Sequence, residues 1–148
     1  MNWTISPPVE SDKAAWQKLY HSYAEFYNVP MNDEILDTVW QWIHDNNEAF
    51  YALLAKDQQG NAVGFMHFRA MKSPLRGKDV GFLDDLFINP DCRGSGLLDA
   101  MFDTLKRSAV EQAWPFVRWI TAENNYRGRG AYDRLANKTQ WLTYQLTT

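Results

Sequence analysis

Two adjacent carboxylates, Asp84 and Asp85, interrupt an otherwise apolar and aromatic run from Val80 to Ile88. A charge taken out of water without a partner costs on the order of several kcal/mol, so carboxylates among Phe82, Leu83, Leu86 and Phe87 need a reason. Either an Arg or Lys from elsewhere in the chain pairs with them, or they accept a proton or hold a cationic amine. As neighbours in a strand they face opposite sides unless a bulge intervenes. Just downstream, Arg93-Gly94-Ser95-Gly96 leads into Leu97, Leu98, Met101, Phe102, Leu105 and Ala109, the apolar stripe of an amphipathic helix. A glycine-bearing turn at a helix N-terminus is an ordinary connection or an anion site, because free backbone N–H groups and the helix dipole attract negative charge there. Successive N–H groups from Arg93 to Leu98 would form a concavity suited to a pyrophosphate, with Arg93 adding charge or holding the loop. The dinucleotide fingerprint is not matched, since Asp99 stands where it has Gly or Ala, and no Gly-Lys-Ser/Thr follows. Tyr132 follows Asn125 by two helical turns on nearly the same face, which makes it a core tyrosine or a phenol placed to give up a proton.

These groups need elements to position them. Val80 to Ile88 is too short for a typical helix and is stopped by Asn89-Pro90, so it reads as a buried strand. Before it come a short strand over Trp3 to Ser6 and a helix capped by Ser11 or Asp12, with Trp16, Leu19, Tyr20, Tyr23, Phe26 and Tyr27 at helical spacing. That stripe reads as core, with Glu25 and Tyr27 near its end as candidates to line an acceptor site. Asn28-Val29-Pro30 ends this helix, and a second starts at about Asn32. Phe50 to Ala55 and Ala62 to Ala70 are strands joined by a polar, glycine-containing loop, antiparallel to each other and to the central strand. After the 97–112 helix, Pro115 forbids continuation and Phe116 to Thr121 is a strand parallel to the central one. A last helix over Asn125 to Asn137 is weakened by Gly128 and Gly130, each costing about 1 kcal/mol against alanine. Leu142 to Leu146 alternates like a terminal strand. No repeat, low-complexity tract or linker divides the chain, so it is read as one domain over 1–148.

Composition narrows the classes of function. With 45% hydrophobic and 22% charged residues the chain is ordinary globular material. A formal charge of −3 argues against nucleic acid as a partner and suits a cationic one. Cys92 is the only cysteine, which rules out an internal disulfide. No stretch is long and apolar enough to cross a membrane, and no leader pattern opens the sequence, which reads as cytoplasmic. His21, His44 and His67 lack metal-ligand spacing, so no metal is expected, and they read as surface or satisfied core histidines.

The run of strand, Asn-Pro, Arg-Gly-Ser-Gly and helix resembles the acetyl-CoA signature of the GNAT superfamily of N-acetyltransferases, Arg/Gln-x-x-Gly-x-Gly/Ala. Arg93 and Gly96 match it, while Leu98 stands where Gly or Ala is usual, which implies a side chain directed away from the ligand. The order of elements is similar to that family throughout. The resemblance implies an α/β (α+β) fold with a mixed, mostly antiparallel sheet flanked by helices and a splayed parallel strand pair. It implies acetyl-CoA as co-substrate, held by Leu86, Phe87, Ile88, Arg93, Gly94, Ser95, Gly96, Leu97, Leu98 and Asn125, with N–H groups near Phe87 and Ile88 polarising the thioester. Leu83 to Ile88 resembles the Leu-Glu/Asp-Asp-x-Phe-Val/Ile pattern of diamine acetyltransferases, which implies Asp84 as the acid that handles the amine, beside Asp85. The Asn125 to Tyr132 spacing is similar to the family motif in which the tyrosine protonates departing coenzyme A, although Ala136-Asn137 stands where Gly-Phe is usual. The expected activity is direct acetyl transfer to a primary amine: a polyamine, an amino acid or a lysine-like molecule. A lysine on a protein tail, or a non-catalytic module that senses acyl-CoA, are the alternatives. A homodimer is implied by the resemblance.

Overall fold

The structure, a computed structural model, describes residues 2–148. Strand β1 (Thr4–Ser6) is followed by a 3-10 turn (Glu10–Asp12), α1 (Lys13–Phe26), α2 (Asp33–His44), β2 (Phe50–Lys56), β3 (Ala62–Ser73), β4 (Lys78–Ile88), α3 (Leu97–Glu111), β5 (Val117–Arg118) and α4 (Tyr126–Leu135). The sheet order is β1-β2-β3-β4-β5, antiparallel except for the parallel β4–β5 pair. This is the expected mixed α/β architecture. Alternating residues of the sheet feed two layers of core. On one side Leu53, Met66, Phe68 and Leu83 pack with Leu97, Met101 and Leu105 of α3. On the other, Leu54, Phe65 and Phe87 meet Leu19 of α1, next to a cluster of Trp16 with Leu36, Val39 and Trp40 of α2.

Asn32 caps α2 by accepting the Ile35 N–H, at 2.9 Å. The expected cap of α1 does not form. Asp12 occupies the position, but its carboxylate accepts the Val9 N–H at 2.8 Å and pairs with Lys56 at 2.7 Å, tying the entry turn to β2 instead.

Two strand expectations are corrected. The strand over Phe116 to Thr121 shrinks to Val117–Arg118, paired with Gly81 and Phe82. Beyond that point β5 has no register with β4, and among the described residues β4 runs on from Leu83 to Ile88 without a neighbour on that edge. The terminal strand over Leu142 to Leu146 does not form, and Leu142, Tyr144 and Leu146 are 78–91% exposed. Alternation gives a segment a face, but a strand exists only through the backbone groups of a partner. Among the described residues none pairs with this segment.

Candidate active site

Register makes the two carboxylates neighbours in space. From Gly64↔Ile88 to His67↔Asp85 the β3–β4 pairing is regular, and then Phe68 pairs with Leu83, leaving Asp84 as an extra residue on β4. That is a β-bulge, and it cancels the alternation locally. His67 and Arg69, two apart on β3 and so on one face, each take one of the two acids. His67 Nδ1 lies 2.8 Å from Asp85 Oδ2, and Arg69 Nε lies 3.2 Å from Asp84 Oδ2. Both carboxylates therefore face the α1 side.

Asp85 is the end of a buried chain of hydrogen bonds. Trp16 Nε1 donates to His67 Nε2 at 2.9 Å, and both residues are fully buried. An indole nitrogen can only donate, so Nε2 must be the unprotonated nitrogen and Nδ1–H donates to Asp85. The Tyr20 hydroxyl donates to the same carboxylate oxygen at 3.0 Å. Burial pushes the Asp85 carboxyl upward, but hydrogen bonds from His67 and from the Tyr23 and Tyr20 hydroxyls outweigh it and hold Asp85 below the usual carboxylate range. Burial and the neighbouring Asp85 charge raise Tyr20 and Tyr23 far above the ordinary phenol value. Asp84 moves the other way. Burial lifts it above the usual range, against the pull of Arg69 and with a push from Asp85. Although Arg69 is close, it is not aimed along a hydrogen bond, and Asp84 Oδ2 is shielded from water with no hydrogen-bond donor among the described residues.

Past the end of β4 the Arg93 turn takes shape, its guanidinium 5.2 Å over the ring of Phe26 at the end of α1. After a 3-10 turn at Pro90–Cys92, Gly94 (φ 75°) and Gly96 (φ 90°) adopt left-handed conformations that side-chain-bearing residues resist. Ser95 Oγ donates to the Cys92 carbonyl and fixes the turn. The helical ladder that follows includes Ala100 N–H to Gly96 C=O, leaving the N–H groups of Leu97, Leu98 and Asp99 ahead of it. This end of α3 opens on a cavity of about 530 Å³ lined by Phe26, Tyr27, Leu86, Phe87, Ile88, Cys92, Arg93, Gly94, Gly96, Leu98, Asp99, Asn125, Arg127, Gly128, Ala131, Tyr132 and Arg134. Three guanidinium groups against one carboxylate suit an anionic ligand. Arg134 binds Asp99 in a fork, at 2.7 and 3.1 Å, joining α4 to the first turn of α3.

Tyr132 sits edge-on to Trp119 at 5.4 Å and Phe102 at 6.2 Å between centroids. Burial, with a contribution from Tyr27, raises it above the ordinary phenol value, so it holds its proton at neutral pH. Asn125 begins α4. Its carbonyl accepts the Gly128 N–H at 3.3 Å and its amide donates to Thr121 at 2.9 Å. A Cβ on Gly128 would lie 2.5 Å from that amide, which explains a glycine otherwise unfavourable in a helix.

Of the residues expected at the site, Leu86, Phe87, Ile88, Arg93, Gly94, Gly96, Leu98, Asn125, Tyr27 and Tyr132 meet at the cavity. Leu98 is among the residues at its border. Ser95 supports the turn from behind, and the Leu97 side chain is core, leaving only its N–H for a ligand. Asp84 and Asp85 lie on the α1 side of β4, and Glu25 is exposed and outside the lining. Sequence reasoning missed Phe26, Cys92, Asp99, Arg127 and Arg134 at the cavity and His67 beneath Asp85. The signal for His67 was its strand parity with Phe65 and Arg69; Asp99 and Arg134, 35 positions apart, gave none.

A family model described as the acetyltransferase (GNAT) family matches residues 16–136. This chain is a member of the GNAT family. As a GNAT N-acetyltransferase it is an acyltransferase, and the family uses acetyl-CoA as co-substrate. It is 27% identical over 135 residues to the D-amino-acid N-acetyltransferase HPA3 of Saccharomyces cerevisiae, covering 90% of this chain and 84% of that protein. Among solved structures, the ribosomal-protein-alanine N-acetyltransferase of Brucella melitensis superposes with TM-score 0.81 at 26% identity, over 99% of this GNAT chain and all (100%) of that one. AAC(6')-Iy, solved with a bisubstrate analogue of coenzyme A and acetylneamine, gives TM-score 0.84 at 14% identity over 100% and 99% of the two chains, a likeness of fold. None of these names a diamine as acceptor, so the diamine branch of this GNAT family is not where the comparisons point.

Proposed function

We propose that this protein transfers the acetyl group of acetyl-CoA directly to a small primary amine that is cationic in solution. The observation that carries the reading is the stretch of β4 from Leu83 to Ile88 that has no β5 partner among the described residues, with a basic cavity at that open edge, reaching Phe26 and Tyr27 at the end of α1, and the two carboxylates of the bulge on the α1 side of the same strand. The pyrophosphate would rest on the open N–H groups of Leu97, Leu98 and Asp99 beside Arg93, and the thioester would reach the backbone near Phe87 and Ile88. An amine with a lysine-like pKa of about 10.4 is protonated at neutral pH and must lose that proton before attack. Asp84, whose raised pKa makes it the better base of the two, takes the proton directly or through water, and Asp85 stays ionised to attract the ammonium. The amine nitrogen then bonds to the carbonyl carbon, the C–S bond breaks, Tyr132 donates its phenolic proton to the departing thiolate, and the second proton shed by the nitrogen as it becomes an amide passes through solvent to restore the phenol.

A screen of amines for coenzyme A release, beside calorimetry with acetyl-CoA, tests this. Binding of acetyl-CoA with turnover of cationic amines is the expected result. Absence of coenzyme A binding would remove the reading, and binding without turnover of any amine would leave an acyl-CoA sensor in its place. The same reading takes the protein to be cytoplasmic and a homodimer, the exposed Leu142, Tyr144 and Leu146 face being the surface that supports the second point.

A further inference from the structure

We infer that the acceptor carries a carboxylate close to its amine, and that Arg69 and Asp84 together read this zwitterionic end. The inference rests on the acetyltransferase reading above and names its substrate class. The observation behind it is an ion pair that does not satisfy itself. Arg69 Nε is 3.2 Å from Asp84 Oδ2, yet that oxygen is shut off from water and has no hydrogen-bond donor. The Arg69 side chain is 48% exposed, lies 5.1 Å over the Phe82 ring, and makes no side-chain hydrogen bond among the described residues. A pair whose role is to hold the sheet together would be expected to align its fork on the carboxylate, as Arg134 does on Asp99. Here an acceptor lacks a donor and a donor lacks an acceptor, side by side on one sheet face.

The position matters as much as the geometry. Arg69 is opposite Phe82, the last residue of β4 that pairs with β5, and Asp84 is the bulged residue just beyond it. The pair therefore stands where the strands part. A ligand bearing an ammonium and a carboxylate, inserted there, pairs its ammonium with the part of the Asp84 carboxylate that remains exposed, 27% of the side chain, and its carboxylate with Arg69, making two ion pairs from one at no net change in buried charge. A diamine gives Arg69 no partner and adds a second positive charge beside it. An uncharged or esterified carboxyl leaves the guanidinium unanswered.

The test compares substrates on one enzyme preparation, so that any loss of folded protein cancels. The value of kcat/KM is measured for a neutral amino acid such as phenylalanine, in both enantiomers, for its amide, for phenethylamine and for putrescine. Wild-type enzyme should prefer the better amino-acid enantiomer over its amide by about 10- to 100-fold, the worth of a hydrogen bond to a charged group. In Arg69→Ala this ratio should fall toward one, and Arg69→Lys should retain part of it. A wild-type ratio near one, a preference for putrescine, or a ratio unchanged in Arg69→Ala would each overturn the inference. Those outcomes still show acetyl transfer, whereas the absence of turnover on every amine would remove the acetyltransferase reading itself.

Discussion

On the α1 side of β4, Trp16, His67, Tyr20 and Asp85 satisfy one another in a buried chain of hydrogen bonds. At the open edge of the same strand, between the end of α1 and the first turns of α3 and α4, lies a cavity where backbone N–H groups and the side chains of Arg93 and Arg127 have no such mutual saturation. A satisfied network contributes to stability and to fixing a charge in place, and an unsatisfied surface contributes affinity for what will satisfy it. Variants on the first side should therefore move stability, and variants on the second should move rate.

The largest effect expected is on the cavity side. Tyr132→Phe keeps the ring against Trp119 and removes one proton, so turnover should fall by roughly 10²–10⁴-fold with acetyl-CoA affinity and melting behaviour little changed. Wild-type turnover under conditions where chemistry limits the rate would take Tyr132 out of the mechanism and erase the contrast. On the network side, His67→Leu leaves the buried Trp16 N–H without an acceptor and Asp85 without a donor, which should cost about 2–4 kcal/mol in urea unfolding. A stability loss no larger than that of an exposed substitution would show that the chain of bonds is incidental. A smaller effect concerns pH. Because the folded-state value of Asp85 is depressed, its contribution to stability is complete above the unfolded value of about 3.9 and fades as pH falls through the folded one. Asp85→Asn should flatten that part of the acid unfolding curve, and an unaltered curve would place the acid-sensitive group elsewhere. Smallest is Gly130→Ala in α4, where a Cβ meets nothing within 4 Å; it should raise stability by up to about 1 kcal/mol, whereas Gly128→Ala should lower it by breaking the Asn125 cap.

Periodicity made the helices and the antiparallel strands legible, because the apolar positions that repeat in the sequence are those that form the two cores. The Arg93 turn was legible because glycine has a local reason to be there. The bulge was not, since it is a property of two strands in register and β4 alone does not encode which residue β3 skips. For the same reason neither the shortness of β5 nor the lack of a partner for Leu142 to Leu146 could be read from either segment. The Asp99–Arg134 fork was invisible because nothing local in α3 or α4 requires it.

The bulge also bears on how such a site is gained or lost by descent. Inserting one residue into a regular strand would turn every following side chain to the opposite face, and few proteins would survive it. At position 84 the bulge absorbs that extra residue: Leu83 and Asp85 keep the partners Phe68 and His67 that an uninterrupted ladder would give them. An in-frame deletion of the single codon for Asp84 would leave both cores, the Trp16–His67–Asp85 chain and the Arg93 turn in register, while removing one carboxylate and releasing Arg69. The base, and with it the choice of acceptor, is thereby separable from the rest of the fold by a one-codon change.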